Sequence, residues 1–253
     1  MGSLTVLCSV GATHPWNIAG LGLDARVARH LGARQVSVVA GVTAQGGGEF
    51  SAVSVPPGVV AAQLRSVREL RPDAYRIGVL LAPANVAAVE AALADVVAPV
   101  VCDPVLSSSR GELFVEEGTL DALRRLFRRC TLVTPNLAEA SRLCGFPVND
   151  RATMAGAAHT LVERDGAFAA LVTGGHLERE ATDVLYTAGE TIVFEGERLP
   201  GTMRGTGCVL AAAAAIALGR GMNVRDAIES ARGLVRDAIA HAIEWNGERV
   251  WPW

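Results

Sequence analysis

Apolar residues follow two different spacings along the chain. Runs of consecutive or alternating apolar residues are typical of strands, whereas apolar residues three and four positions apart are typical of amphipathic helices. On this basis strands are predicted at 4–10, 36–42, 50–55, 74–81, 99–102, 132–133, 168–173, 182–186 and 191–194. Helices are predicted at 18–31, 59–70, 84–97, 119–129, 153–164, 209–218 and 224–243. Strands and helices therefore alternate through most of the sequence.

This alternation predicts an α/β fold, a three-layer α/β/α sandwich in which helices cover both faces of a mostly parallel sheet. The strands predicted at 182–186 and 191–194 are close enough to form an antiparallel hairpin at the edge of the sheet. The pattern gives no second core, long linker or repeat, so we expect one domain over residues 1–253. In such sheets ligands bind at the carboxyl ends of the strands.

Composition narrows the class of protein. Half of the residues are hydrophobic, and the net charge of −3 gives no reason to expect nucleic acid or an anionic membrane as a partner. The longest apolar run, 209–218, is too short to span a bilayer, and the first residues lack the pattern of a cleaved leader. We therefore expect a cytoplasmic protein whose partners are small molecules.

Residue usage also excludes several chemistries. All 23 basic residues are arginine, so the chain cannot use a lysine Schiff base or the lysine of a P-loop. The five cysteines are scattered and include no Cys-x-x-Cys pair, which argues against a disulfide framework and against a zinc site.

The segment Arg204-Gly-Thr-Gly-Cys208 precedes an alanine-rich stretch and is the strongest candidate for a functional loop. A small-residue loop that opens into a helix leaves the first amide hydrogens without intrahelical acceptors, and such a helix start binds anions. The amides of Gly205, Thr206 and Gly207 are the candidate donors. Cys208 falls in the first turn, where the helix field favours the thiolate. The alternative is that the glycines serve only close helix packing.

Polar residues at the ends of predicted strands offer further candidates, each with a structural alternative. Gln45 can read a heteroaromatic ring with its amide, or can simply be solvated in a loop. Asp103 is placed for Mg²⁺ or phosphate chemistry, although an Asp before proline is also a turn former. Asn136 and Glu139 can hold a hydrated Mg²⁺, or can form an ordinary helix cap.

Several short motifs occur in a fixed order over nearly the whole chain. They are Ala19-Gly20, Asp24, Val42 to Gln45, Val60 to Leu64, Ile77-Gly78, Asp103 to Val105, Thr134 to Ala140, Gly174 to Leu177, Asp183 to Tyr186 and Gly205 to Cys208. This order resembles the ribokinase-like small-molecule kinases. It is most similar to the hydroxymethylpyrimidine/phosphomethylpyrimidine kinases of thiamine biosynthesis, with the pyridoxal kinases as near relatives.

The resemblance implies transfer of the γ-phosphate of ATP to a primary hydroxyl on a pyrimidine, with Mg²⁺ as cofactor and with a second transfer onto the monophosphate. It implies that Cys208 lies next to the hydroxyl and that the amides of Gly205, Thr206 and Gly207 hold the transferring phosphoryl group. The remaining implied contacts are Gln45, Ala19, Gly20 and Asp24 with the substrate, Thr173, Gly174, Gly175 and Arg204 with the nucleotide, and Asn136, Glu139 and Asp103 with the metal. The relatives also suggest a homodimer.

Two departures from the family pattern bear on the substrate. The family loop Asp-Pro-Ser-Gly-Gly-Ala-Gly reads His14-Pro-Trp-Asn-Ile-Ala-Gly20 here, and we expect Trp16, Asn17 and Ile18 to fill space that the substrate uses. The family lysine before Gly-Gly-His-Leu is Thr173, so Arg204 or Arg179 is expected to supply the charge.

These departures keep two alternatives open. One is a kinase of another heteroaromatic or nucleoside-like alcohol, such as pyridoxal. The other is a ligand-sensing homologue that has lost efficient phosphoryl transfer.

Overall fold

A single large sheet organises the protein. The structure, a computed structural model, describes residues 4–46, 49–108, 111–175 and 181–252. The strands of this sheet are β1 Val6–Thr13, β2 Arg34–Gly46, β3 Glu49–Ser54, β4 Ala74–Ile77, β5 Val100–Cys102, β6 Leu132–Val133, β7 Ala169–Thr173, β8 Asp183–Thr187 and β9 Glu190–Phe194. A separate hairpin pairs β10 Ile243–Trp245 with β11 Glu248–Val250.

Helices connect most of these strands. They are α1 Gly20–His30, α2 Pro57–Arg68, α3 Pro83–Ala92, α4 Thr119–Phe127, α5 Leu137–Cys144, α6 Arg151–Glu163, α7 Thr206–Gly219 and α8 Val224–Ala240. Within the described chain, no helix combines the length and the apolar content needed to cross a membrane.

The strand order is β3-β2-β1-β4-β5-β6-β7-β8-β9. In this spatial order, the six neighbouring strands β2, β1, β4, β5, β6 and β7 pair in parallel. β3, β8 and β9 are antiparallel to their neighbours. The chain runs outward from β1 to β2 and then returns to place β4 on the other side of β1. This reversal is a topological switch point, where α/β sheets bind ligands.

Two hydrophobic clusters lie on opposite faces of the sheet. One packs α2 to α6 against the sheet, and the other packs α1, α7 and α8 against its reverse. Neighbouring strand residues divide between the clusters, so Leu171 faces α7 and α8 while Val172 faces the other layer. The three-layer α/β/α sandwich and its antiparallel edge hairpin are therefore confirmed.

α7 is buried on all sides because its residues are small and apolar. Every residue from 209 to 218 is buried. A helix that is apolar all round belongs inside a protein, and alanine side chains allow close approach to α1, α8 and the sheet. The packing of the rest of α7 therefore fixes its first turn relative to the strand ends.

The main differences from the sequence-based prediction lie at element ends. β2 continues through Gln45 to Gly46 because it pairs with β3, with Gln45 opposite Phe50, so Gln45 lies on a strand and the prediction of a loop there is wrong. The predicted helix 224–243 ends at Ala240. Asn246 and Gly247, both with positive φ, then form the turn of the β10–β11 hairpin, which the helical pattern concealed.

Overpacking tests whether α7 is as tightly enclosed as its burial indicates. We expect Ala212→Leu to lower the free energy of unfolding by about 1–3 kcal/mol, because the completely buried Ala212 has no room for three more carbons. Urea denaturation measures this change. The matched control is Ala62→Leu at an exposed position of α2, and an equal effect of both substitutions would contradict the packing argument.

Candidate active site

The candidate site lies at the carboxyl ends of the parallel strands, beside the switch point. β1 leads into His14, β2 carries Gln45 near its end, β4 contains Arg76, and β5 leads into Asp103. The first turn of α7 lies close to this edge, because a Cβ built on Gly207 would be 3.8 Å from the Asp103 Oδ1 atom. The sheet therefore brings most of the predicted residues together around one helix start.

The loop before α7 has free amide donors. Gly205 is the N-cap residue at φ +82°, and a Cβ there would lie 2.4 Å from Leu23 Cδ2 and 2.6 Å from the Ile18 carbonyl oxygen, so only glycine fits. Within the described ranges, the amide hydrogens of Gly205, Thr206 and Gly207 have no protein acceptor. Gly207 is exposed. The arrangement suits an anion that approaches along the axis of α7.

The start of α1 reaches the same loop. Ala19 is the N-cap residue of α1 in an extended conformation, and Gly20 follows at φ +58°. A Cβ on Gly20 would lie 2.4 Å from the Ala12 carbonyl oxygen, so this tight turn also requires glycine. The Gly20 backbone amide lies close enough to the sulfur of Cys208 to lower the pKa of its thiol, although burial outweighs this effect. Two helix starts therefore meet at Cys208.

A buried cluster of charges lies under the first turn of α7. Arg76 Nη2 is 2.6 Å from Asp103 Oδ2, and Arg76 Nη1 is 3.4 Å from Asp24 Oδ2. The side chains of Arg76 and Asp24 are 1% and 0% exposed. Gly78 makes room for the guanidinium, since a Cβ there would lie 2.2 Å from Arg76 Nη1. Asp24 was predicted to contact the substrate, but its side chain has no exposed surface in this arrangement and contacts Arg76 instead.

The Cys208 thiol is protonated at neutral pH. Burial raises its pKa to about 11, and the carboxylates of Asp103 and Asp24 add to this rise although Arg76 opposes it. The expected preference for thiolate is therefore wrong, because burial and two carboxylates outweigh the helix field and the guanidinium.

Asn136 and Glu139 form a capping box at the start of α5. Asn136 Oδ1 accepts from the Glu139 amide at 3.0 Å, and Glu139 Oε2 accepts from the Asn136 amide at 2.9 Å. The Leu106 backbone also lies near the Glu139 carboxylate and opposes the rise of its pKa. Burial and the nearby Asp103 raise the pKa of Glu139 to about 8. Asn136 and Glu139 therefore form the helix cap that the sequence offered as the alternative to a metal site. The carboxylates of Glu139 and Asp103 also lie close enough to repel each other.

These residues fit a hydrated Mg²⁺ better than a direct protein cage. In the described part of the chain, no group of three or more His, Cys, Asp or Glu side chains is arranged to hold a metal. Mg²⁺ usually keeps several waters and uses one or two carboxylates together with substrate phosphates. Asp103, close to Gly207, and the nearby Glu139 match that donor set, and a divalent cation bound by them would relieve their repulsion.

A second loop follows β7 at the same edge. The Thr173 amide donates to the Pro135 carbonyl, which ties β7 to the start of α5. The Gly174 amide donates to Asp183 Oδ1 at 3.0 Å, and Asp183 Oδ2 is 2.7 Å from Arg232 Nε. This pair of charges, which the sequence analysis did not assign, fixes the loop containing Gly174 and the exposed Gly175.

Arg204 contacts residues near the end of β2 and in the β10–β11 hairpin. Arg204 Nη2 donates to Gln45 Oε1 at 3.3 Å, and Arg204 Nη1 is 3.6 Å from Glu248 Oε1. These two contacts place Arg204 beside residues 14–20, and its nucleotide contact stays a prediction. The other proposed source of charge, Arg179, lies outside the described residues, as does His176.

The β10–β11 hairpin covers the first loop, residues 14–20, which lead from β1 into α1. This hairpin was absent from the sequence-based prediction. Trp16 packs edge to face against Trp245, with ring centroids 5.5 Å apart. Of the other residues expected to fill substrate space, Ile18 is buried at 3% exposure and Asn17 is exposed. In addition, the Arg249 carbonyl in the hairpin accepts a hydrogen bond from the Arg204 amide. A C-terminal segment is therefore part of the site.

Removal of the buried guanidinium is expected to be costly. Arg76→Met leaves Asp24 and Asp103 without their cation, and we expect a loss of about 3–5 kcal/mol in the free energy of unfolding by urea denaturation. Arg76→Lys should recover part of it. The control is Arg68→Met, which breaks an exposed ion pair with Asp95 of similar length and should cost far less, because solvent screens this pair. Equal losses for both methionine variants would contradict the buried-cluster interpretation.

Alkylation measures the ionisation of Cys208 directly. Because burial raises its pKa to about 11, the rate of its reaction with iodoacetamide should still increase above about pH 9, beyond the ordinary thiol pKa of about 8.5. Mass spectrometry of the peptide containing Cys208 gives the rate. The same protein in urea is the control, with its profile centred near the ordinary value. A folded-state plateau near neutral pH would restore the thiolate hypothesis.

Solved structures with the same fold include two kinases. The ADP complex of Bacillus subtilis pyridoxal kinase has a TM-score of 0.90 at 24% identity, over 98% of this chain and 97% of that chain. A phosphomethylpyrimidine kinase from Clostridium difficile has a TM-score of 0.81 at 22% identity, over 94% of this chain and 100% of that chain. These similarities confirm the ribokinase-like fold implied by the motif order.

Sequence comparison identifies the family. A family model described as phosphomethylpyrimidine kinase matches residues 16–252. A hydroxymethylpyrimidine/phosphomethylpyrimidine kinase of Streptomyces coelicolor is 35% identical over 90% of this chain and 86% of that protein. A Rhizobium meliloti protein of the same name is 33% identical over 94% of this chain and 91% of its own length. The chain therefore belongs to the phosphomethylpyrimidine kinase family.

Proposed function

We propose that this chain transfers the γ-phosphate of ATP to the hydroxymethyl group of a pyrimidine, either hydroxymethylpyrimidine or its monophosphate, in thiamine biosynthesis. The observation that carries the proposal is the free first turn of α7, whose amides open at the switch point beside a buried carboxylate. Membership of the phosphomethylpyrimidine kinase family supports the choice of acceptor.

In this proposal, backbone amides do most of the work on the phosphoryl group. Phosphoryl transfer has a loose transition state, so alignment and charge stabilisation matter more than base strength. Gly205, Thr206 and Gly207 donate to the transferring group along the axis of α7. Mg²⁺, held through Asp103 and the nearby Glu139, would neutralise charge on the phosphates.

Cys208 positions the acceptor hydroxyl. Because the thiol is protonated at neutral pH, it can donate a hydrogen bond to the hydroxyl oxygen and hold it in line with the phosphoryl group. As the new P–O bond forms, the bond between the γ-phosphorus and the bridging oxygen of ADP breaks, and the hydroxyl proton passes to an oxygen of the transferred phosphoryl group or to solvent, so a strong base is unnecessary in a loose transition state. Arg76, beneath the thiol, fixes Asp103 with a 2.6 Å ion pair.

Nucleotide binding is proposed for the loop Thr173-Gly174-Gly175. The Asp183–Arg232 pair holds the Gly174 amide, and the absence of any lysine leaves phosphate neutralisation to amides, metal and arginine. Arginine is not equivalent to lysine at such a position because its planar group needs a different geometry. We therefore expect weaker nucleotide binding than in relatives that carry the lysine.

A kinase of another heteroaromatic alcohol, such as pyridoxal, is the second candidate. It is favoured by the first loop, where Trp16 and His14 replace the family residues and Trp245 closes over them. Substrate-dependent ADP release with hydroxymethylpyrimidine, its monophosphate, pyridoxal and a nucleoside separates the two. Preference for a pyrimidine supports the proposal, whereas tight ring binding without ADP release indicates a ligand-sensing homologue.

Substitution of Cys208 tests its proposed role. We expect Cys208→Ala to lower kcat by ~10²-fold, as for loss of one oriented donor, while the KM for ATP stays the same. Cys208→Ser keeps a donor and should retain more activity. Steady-state kinetics with the preferred acceptor gives both constants. Near-normal turnover of the alanine variant would remove the thiol from the mechanism.

A further inference from the structure

His14 has a buried ring nitrogen without a partner. The side chain follows β1 and is 4% exposed. Its Nδ1 accepts the Trp16 amide at 3.1 Å, so a neutral ring carries its hydrogen on Nε2. Nε2 has no hydrogen-bond partner within the described ranges. An unpaired buried donor is costly, and such groups in native proteins commonly await a ligand or an ordered water.

The surroundings of His14 keep its ring neutral. Burial and, to a smaller extent, the positive charge of Arg204 lower its pKa to about 4, although Glu248 opposes this. The imidazole is therefore a fixed donor over the physiological range, with one N–H whose direction is set by the turn to Trp16.

Gln45 is engaged on both sides of its amide. Its Oε1 accepts from Arg204 Nη2, and its Nε2 donates to Thr43 Oγ1, each at 3.3 Å. Thr43 in turn donates to the Thr13 carbonyl at 2.7 Å. The side chain that the family resemblance assigns to ring recognition is thus held by neighbours, and it lies on the strand beside β1, which leads into His14.

The same loop supplies an aromatic surface. Trp16 lies with its ring centroid 6.3 Å from that of His14 and 5.5 Å from that of Trp245, at interplanar angles of 69° and 74°. Trp245 remains 47% exposed. An aromatic surface next to one buried donor suits a flat ring with an acceptor atom in its plane.

We propose that His14 is a specificity-determining residue that donates its Nε2 hydrogen to an in-plane acceptor of the substrate ring, a ring nitrogen or an exocyclic oxygen. The inference rests on the proposed function, because it takes the ring to be that of the phosphoryl acceptor. It adds the chemical feature that this chain selects, and it assigns to His14 the recognition that Gln45 performs in the family resemblance.

The test compares ligands that differ by one atom. The probes are hydroxymethylpyrimidine and two pyridine analogues, each with one ring nitrogen replaced by C–H, and binding is measured by calorimetry and by tryptophan fluorescence. Wild-type protein should bind one of the analogues about tenfold more weakly than the pyrimidine. His14→Phe should lose about tenfold for the pyrimidine and nothing for that analogue. His14→Gln keeps an N–H donor and should recover part of the discrimination.

Controls separate the outcomes. His241→Phe, at an exposed position after α8, should leave all affinities unchanged. If no probe, a pyrimidinone alcohol included, shows discrimination that depends on His14, or if His14→Phe weakens all the probes equally, the assignment of His14 is overturned. If the phenylalanine variant does not fold, the comparison of the wild-type protein with His14→Gln decides the question, and identical affinities of the two proteins for every probe would overturn the assignment.

Parallel ADP-release measurements distinguish this result from failure of the proposed function. Discrimination of the ring nitrogen without phosphorylation of any probe would overturn the kinase proposal and leave the role of His14 intact. Phosphorylation without discrimination would overturn the role of His14 and leave the kinase proposal intact. A further probe, a pyrimidinone alcohol, tests the exocyclic oxygen. If its affinity depends on His14 while the affinities for hydroxymethylpyrimidine and the pyridine analogues do not, the acceptor is an exocyclic oxygen.

Discussion

One buried guanidinium holds together the chemistry of the strand ends. Arg76 lies between two carboxylates that would otherwise repel each other in a region nearly free of water. Its charge holds Asp103, next to the first turn of α7, and Asp24, which belongs to α1, so the same guanidinium positions the starts of both helices. Such an arrangement is expensive to dehydrate and is retained where geometry matters more than stability. The orientation of Cys208 above this cluster follows from it.

The absence of lysine makes backbone geometry more important in this chain. Charge near the candidate phosphate path comes from amides at the start of α7 and from arginines that are already paired with carboxylates. Paired arginines position loops and carry little free charge. The glycine at 205 is therefore a structural requirement, because a side chain there would collide with Leu23 and with the carbonyl of Ile18.

The alternation of elements was enough to predict the layers, the parallel sheet and the edge hairpin. The loop at 205–208 was also recognisable, because glycines before an alanine-rich helix have a direct physical meaning. Arg76 was missed since an arginine in an apolar strand gives no sign of its partners until strands 4 and 5 are paired. The β10–β11 hairpin was missed although Asn246-Gly247 is a strong turn signal. The state of Cys208 was mispredicted because the helix field can be read from sequence, whereas burial and distant carboxylates depend on the fold.

The place of the β10–β11 hairpin in the chain has a consequence for biosynthesis. All nine strands of the main sheet precede it, so the sheet can form while the hairpin is still inside the ribosome. Trp245 and Glu248 emerge only afterwards and then close on Trp16 and Arg204, more than two hundred positions earlier in the case of Trp16. The contacts of Trp245 with Trp16 and of Glu248 with Arg204 are therefore completed only after translation has passed this point, when the sheet that carries the other strand-end residues can already be in place.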